Sequence, residues 1–170
     1  MPTIDLTRRA DEAELEYKAV LSEVPLESES TRYTGVIYSL TTSSMHGTYI
    51  DFPGHIKETD NGLYAHNFPH EELYRVPASV IHLDRDRGPV SGAELEHAFG
   101  GVPRTPVLVI NGLGARDETE LPKRIVYLDH SALDWIIASG VRYLISDIYE
   151  SQALHGVFLK LFRAGITAIC

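Results

Sequence analysis

Val107-Leu108-Val109-Ile110-Asn111 is a nearly unbroken apolar run of strand length, bounded by Pro106 and Gly112. A strand buried on both faces reads this way, and such strands belong to parallel sheets covered by helices. The flanking sequence agrees. Upstream, Ala78 to Asp84 reads as a strand, and Ser91 with Glu94 three residues on forms a capping box for a short helix that Gly100-Gly101 stops. Downstream, Ile125 to Leu128 reads as a strand. Ser131 then precedes a helix over Ala132 to Ser139, with Leu133, Ile136 and Ile137 at helical spacing and Gly140 as its cap. Val141 to Ile148 reads as a strand, and Gln152 to Arg163 places Leu154, Phe158, Leu161 and Phe162 on one helical face before Gly165. Ile166 to Ile169 opens a last strand. Strands alternating with helices predict a mixed α/β fold with at least part of the sheet parallel.

The first half is more strand-like. From Thr31 to Thr42, Tyr33, Gly35, Ile37 and Ser39 alternate with Thr34, Val36, Tyr38 and Leu40, the period of a strand. His46 to Phe52 is expected to be a second strand closed by the turn pair Pro53-Gly54, and the two could pair as a hairpin through Thr42-Ser43-Ser44. Ile4-Asp5-Leu6-Thr7 reads as a short opening strand, and Asp11 to Leu21 as either a loop or a polar helix.

At 170 residues the chain fits one domain, expected over 1–170, with no repeat, low-complexity segment or linker to divide it. Its apolar runs are far too short to cross a bilayer, and no basic segment followed by an apolar stretch opens the chain, so a cytoplasmic location is expected. The net charge of −9 disfavours nucleic acid, whose phosphates demand a basic surface, and leaves small molecules or proteins as partners. Cys170, the one cysteine, excludes an internal disulfide and a cysteine-based zinc cluster. Eight histidines in so acidic a chain raise the prospect of metal or proton chemistry.

Potential ligands are densest in Met45-His46-Gly47-Thr48-Tyr49-Ile50-Asp51-Phe52-Pro53-Gly54-His55. Imidazoles and a carboxylate suit a divalent metal such as Zn or Mn. In a strand Met45, Gly47, Tyr49 and Asp51 share one face, and His46, Thr48 and Ile50 the other. His46 therefore reaches Asp51 only if a bulge rotates the strand. His55 lies beyond Pro53, where the turn can redirect it towards Asp51. The competing reading is an Asp that stabilises a turn and a partly exposed His.

This segment resembles the signature His-x-Gly-Thr-His-x-Asp-x-Pro-x-His of the metal-dependent cyclase-type hydrolases, the family that includes bacterial kynurenine formamidases. Gly47-Thr48, Asp51, Pro53 and His55 match it, whereas Met45 and Tyr49 stand where its first and second His belong. Ile4 to Thr7, Ala78 to Asp84, Leu108 to Asn111 and Ser131 through Asp147 are similar to its framework, and Ala153-Leu154-His155 to its late helix. The resemblance implies a compact fold around a barrel-like mixed sheet, with Asp51, His55 and a displaced His46 as metal ligands. It also implies His155 as catalytic acid/base, an amide, formamide or cyclic amide substrate, and a homodimer or homotetramer. Tyr49 could donate a hydrogen bond to substrate, and His66 and His70 lie where family members place a loop near it. The family's metal-ligating Glu soon after the last strand has no counterpart before Cys170, so either the sequence is cut short or that Glu is absent by nature. A relative that has lost catalysis and acts as a binding or structural subunit is the second expectation. His82 reads as a core residue, His97 as helix surface, His130 as part of a helix cap, and Trp135 as core.

Overall fold

The computed structural model describes residues 18–45, 47–116, 121–122, 124–151 and 156–170. The expected strand at Ile4 to Thr7, together with His46 and His155, lies outside the described residues. Strands β1 (Lys18–Glu27), β2 (Arg32–Thr41), β3 (Ile50–Asp51), β4 (Ala78–His82), β5 (Gly88–Val90), β6 (Val107–Asn111), β7 (Val126–Leu128), β8 (Tyr143–Ser146) and β9 (Thr167–Ile169) alternate in the second half with helices α1 (Gly92–Phe99), α2 (His130–Ala138) and α3 (Val157–Arg163). By its contacts the chain divides into two compact units, Met1–Tyr49 and Ile50–Cys170.

In the first unit β1 and β2 form an antiparallel hairpin in which Lys18 faces Thr41 and Glu27 faces Arg32. This corrects two readings. The strand at Arg32–Thr41 is present, but it pairs with Lys18–Glu27 and not with His46 to Phe52. Lys18 to Leu21, read as loop or polar helix, belongs to β1, whose alternation of Val20, Val24 and Leu26 is broken by Ser22 on the same parity and Leu21 on the other. After β2, Gly47 adopts a left-handed φ of 69°, which a continuous strand does not allow, so only Ile50–Asp51 is extended and paired beyond it.

The second unit holds a mixed sheet in the order β3-β9-β8-β6-β4, with β3 antiparallel to β9 and the other neighbours parallel. The chain steps from β4 to β6 to β8 to β9 always in one direction along the sheet, so right-handed crossovers put every intervening helix on one face. Leu95 of α1, Leu133 and Ile136 of α2, and Leu161 and Phe162 of α3 pack there in one cluster with Leu108, Ile110, Leu144 and Ala168. The opposite face is covered at one end by Phe68 with Val107 and Tyr143, joined by Phe52 and Leu73. On that face Val109 and Ile145 also pack against the Phe68 cluster, whereas Val80 on β4 is 47% exposed.

Local signals account for the helices. Ser91 caps α1 with the expected reciprocal bonds to Glu94, and Gly100 ends it at φ 79°. Asp129 caps α2, its carboxylate accepting from Ala132 N at 2.9 Å. His130 is the first residue of that helix, and Trp135 packs partly buried against the core. His82 is exposed at the end of β4, contrary to its reading as a core residue, because Ser79 and Ile81 take the buried parity of that strand. Among the described residues no helix is long and apolar enough to cross a membrane.

Candidate functional site

Asp51 lies on the edge strand β3 of the five-stranded sheet. Through the register it aligns with Ala168, Leu144, Leu108 and Ser79, the row that faces the helices, so its carboxylate is carried into apolar surroundings and is 6% exposed. Loss of hydration raises the Asp51 pKa above the usual carboxylate range, and the nearby His55 offsets this only in part. A buried carboxylate of this kind calls for a positive partner.

The partner arrives through one turn. Phe52 is extended, Pro53–His55 forms a single 3₁₀ turn, and His55 N donates to Phe52 O at 2.8 Å. Pro53 suits the first position of that turn, where its missing N–H is not needed. The reversal swings the His55 ring back, and Nδ1 stands 3.4 Å from Asp51 Oδ1. The imidazole is 39% exposed, so one side of the pair is open to solvent.

Two supports of this turn were not read from the sequence. The Thr59 hydroxyl donates to Pro53 O at 2.6 Å, with Ile56 O also in reach at 3.0 Å. Tyr64 lies against Gly54, where a Cβ would meet Tyr64 Cε1 at 2.6 Å, and its hydroxyl donates to Asp60. Pro-Gly was the only legible signal there. Beyond the turn, the Tyr64 ring stacks on His66 at 5.7 Å, and His70 meets the Phe68 ring edge-on at 6.1 Å. Both histidines are exposed, as are His97 and His130. Tyr49 is half-buried in the first unit. Glu150 Oε1 accepts from Gly156 N at 2.9 Å and Val157 N at 3.1 Å, which ties the chain on either side of 151–155.

One anionic oxygen and one imidazole nitrogen are donor types that suit a divalent cation, and a cation beside Asp51 would offset the cost of burying its charge. The fit is in kind. Among the described residues no group of three or more His, Cys, Asp or Glu is placed to hold a metal, and a catalytic zinc site ordinarily has three protein ligands.

A family model, Cyclase, described as "Putative cyclase", matches residues 4–152. The chain belongs to the Cyclase family. Solved structures are similar in fold. A predicted metal-dependent hydrolase from Bacillus stearothermophilus is 15% identical, with 88% of this chain and 69% of that one covered at a TM-score of 0.53. A potential metal-dependent hydrolase with cyclase activity is 16% identical, with 90% and 80% covered at 0.53. An isatin hydrolase bound to the product analogue thioisatinate is 12% identical, with 99% and 73% covered at 0.56. Comparison with curated proteins returns no match. The segment Gly47 to His55 lies inside the Cyclase match, and it contains the Asp51–His55 pair.

Proposed function

We propose that this Cyclase-family protein is a metal-dependent hydrolase of amides, formamides or cyclic amides. The observation that carries the reading is the buried Asp51 carboxylate with the His55 imidazole turned back to 3.4 Å, at the two positions where the family signature places ligands. The structural neighbours named as metal-dependent hydrolases, and the isatin hydrolase whose name implies opening of a cyclic amide, support the same class.

Asp51 and His55 would hold the metal, with His46 as the third protein donor, and Zn and Mn both suit such a set. When bound, the metal polarises the substrate carbonyl and lowers the pKa of water. His155 acts as general base: it takes a proton from the attacking water as the new C–O bond forms. It then gives that proton to the nitrogen as the C–N bond breaks, leaving a carboxylic acid and an amine. Asp51, the buried carboxyl of the pair, would supply the anionic oxygen that favours a cation. Tyr49 donates a hydrogen bond to the substrate, and His66 and His70 line the approach on the loop between β3 and β4.

The second reading is a family member without catalysis that serves as a binding or structural subunit. It is favoured by Met45 and Tyr49 at the two signature His positions. Elemental analysis of the purified protein beside Asp51→Ala and His55→Ala, followed by assays with N-formylkynurenine and cyclic amides, decides between them. About one metal per chain, lost in both variants together with turnover, is the expected result. No metal in the wild type at any supplied Zn or Mn concentration would leave the second reading.

A further inference from the structure

His55 meets Asp51 because one short turn reverses the chain, and that turn has little of its own to hold it. Pro53 brings no N–H, Gly54 is the residue type with the widest backbone freedom, and no side chain caps the turn at Phe52. Its backbone bonds are His55 N to Phe52 O at 2.8 Å and Ile56 N to Pro53 O at 3.3 Å, the second longer than a usual N–H···O bond. Pro53 is fully buried, so its carbonyl has no water to turn to and would be poorly satisfied by that bond alone.

Thr59 supplies what the turn lacks. It ends the next turn, Lys57–Thr59, where a threonine hydroxyl ordinarily bonds back to a carbonyl three or four residues earlier. Ile56 O is such a carbonyl and lies 3.0 Å from the hydroxyl, but it already accepts from Thr59 N at 3.0 Å. The hydroxyl has one proton to give, and Pro53 O is both the nearer acceptor, at 2.6 Å, and the less satisfied one. The bond therefore reaches six residues back and welds the two turns together. Both acceptors in reach are carbonyls of the turns, so Thr59 acts on His55 through the backbone.

We propose that Thr59 is a positioning residue for the candidate site: by holding the Pro53 carbonyl, its hydroxyl fixes the turn that aims the His55 imidazole at Asp51. The ring is open to solvent on one side, so its direction is set from the backbone side. A relaxed turn would keep the imidazole but misdirect it, and a displacement of about 1 Å is enough to weaken a functional group severely. The consequence for metal affinity rests on the proposed function; the direction of the ring does not.

Three substitutions in the full chain separate the hydroxyl from the rest of the side chain. Thr59→Val keeps the shape without the hydroxyl, Thr59→Ala removes both, and Thr59→Ser keeps the hydroxyl. In metal-free, isotope-labelled protein at pH 7, the His55 Nδ1 resonance is assigned by its loss in His55→Gln and compared with its position in Asp51→Ala, where the partner is gone. Thr59→Val and Thr59→Ala are expected to move it towards the Asp51→Ala position, and Thr59→Ser to leave it at the wild-type one. Titration with zinc or manganese should show affinity weakened about tenfold to a hundredfold in the first two and restored by Thr59→Ser. Trp135 fluorescence checks that the second unit is folded in every variant. A wild-type resonance in both Thr59→Val and Thr59→Ala overturns the assignment. So does an equal shift in Thr59→Ser, which would place the effect in the methyl group. A wild type that takes up neither metal sinks the metal reading by itself, and the ring resonance then decides on Thr59 alone.

Discussion

At the scale of single residues the site is governed by one unfavourable choice, the burial of Asp51. Its pKa is raised by desolvation, with His55 opposing. The folded state therefore holds the proton more tightly than the unfolded chain, and the unfolding free energy falls as pH rises above the usual Asp value. In metal-free protein Asp51→Asn is accordingly expected to raise the melting temperature at pH 7, with the gain shrinking as pH falls into the carboxylate range. Calorimetry at pH 7 and pH 5 measures it; a variant less stable than the wild type at pH 7 would mean that His55 already compensates the charge. The neighbouring Gly54 is needed for space, since a Cβ there would meet Tyr64 Cε1 at 2.6 Å. Gly54→Ala should cost about 1 kcal/mol, and Tyr64→Ala in the same chain should recover part of it, because a ring end can be displaced more easily than backbone. Urea titrations of the two single variants and the double variant give the coupling.

At the scale of elements, packing and local propensity can be set against each other at Gly92. Replacing Gly by Ala inside a helix ordinarily stabilises by about 1 kcal/mol. At the start of α1, however, an Ala Cβ would lie 2.5 Å from Ser131 O, a backbone atom at the start of α2, while Gly92 N donates to Ser131 Oγ at 3.0 Å. The contact wins: Gly92→Ala is expected to destabilise by roughly 1–3 kcal/mol by forcing the helices apart, whereas the exposed helix position Ala93→Gly should cost only about 1 kcal/mol. Thermal melts of both compare the effects. Tyr143, at the start of β8, tests the opposite face. Its hydroxyl donates to Glu72 at 2.8 Å, and burial with this bond pushes its pKa to about 12. The stabilisation is complete below the unfolded Tyr value near 10 and is lost as pH rises towards 12. Tyr143→Phe should cost about 1 kcal/mol at pH 8 and reduce the difference between pH 8 and pH 11 in chemical denaturation, while the buried Tyr149, whose pKa is also raised, keeps part of it. These elements differ in how far sequence reveals them. The α1 capping box and the β6 run are local statements, and both stand where their residues put them. β1 is hidden because Leu21 and Ser22 break its alternation and Pro25 is disfavoured inside a strand, and strand pairing is non-local: nothing in Arg32–Thr41 says that its partner precedes it. At the site, Pro53-Gly54 made the approach of His55 to Asp51 legible. The hydroxyl of Thr59 and the ring of Tyr64 that hold the turn were not, because their contacts depend on the path of the loop.

At the scale of the whole molecule, burial is divided unevenly between the units. Both apolar clusters, the one beneath the helices and the one around Phe68 and Tyr143, are built from residues of Ile50–Cys170, and among the described residues the hairpin contributes no buried hydrophobic side chain. The one-way progression β4, β6, β8, β9 also lies wholly within that unit, so its topology closes without Met1–Tyr49. Hydrophobic burial is the main favourable term in folding, and a lone hairpin is marginal in water. Cooperative stability should therefore reside in the second unit. A fragment that begins at Ile50 is expected to unfold in one cooperative transition within a few degrees of the full chain. Trp135, the single tryptophan and part of the helix-side cluster, reports that transition alone, since the hairpin contains none. If the fragment instead shows a broad transition and a red-shifted Trp135 emission, the residues of Met1–Tyr49 would count towards the stability of the whole.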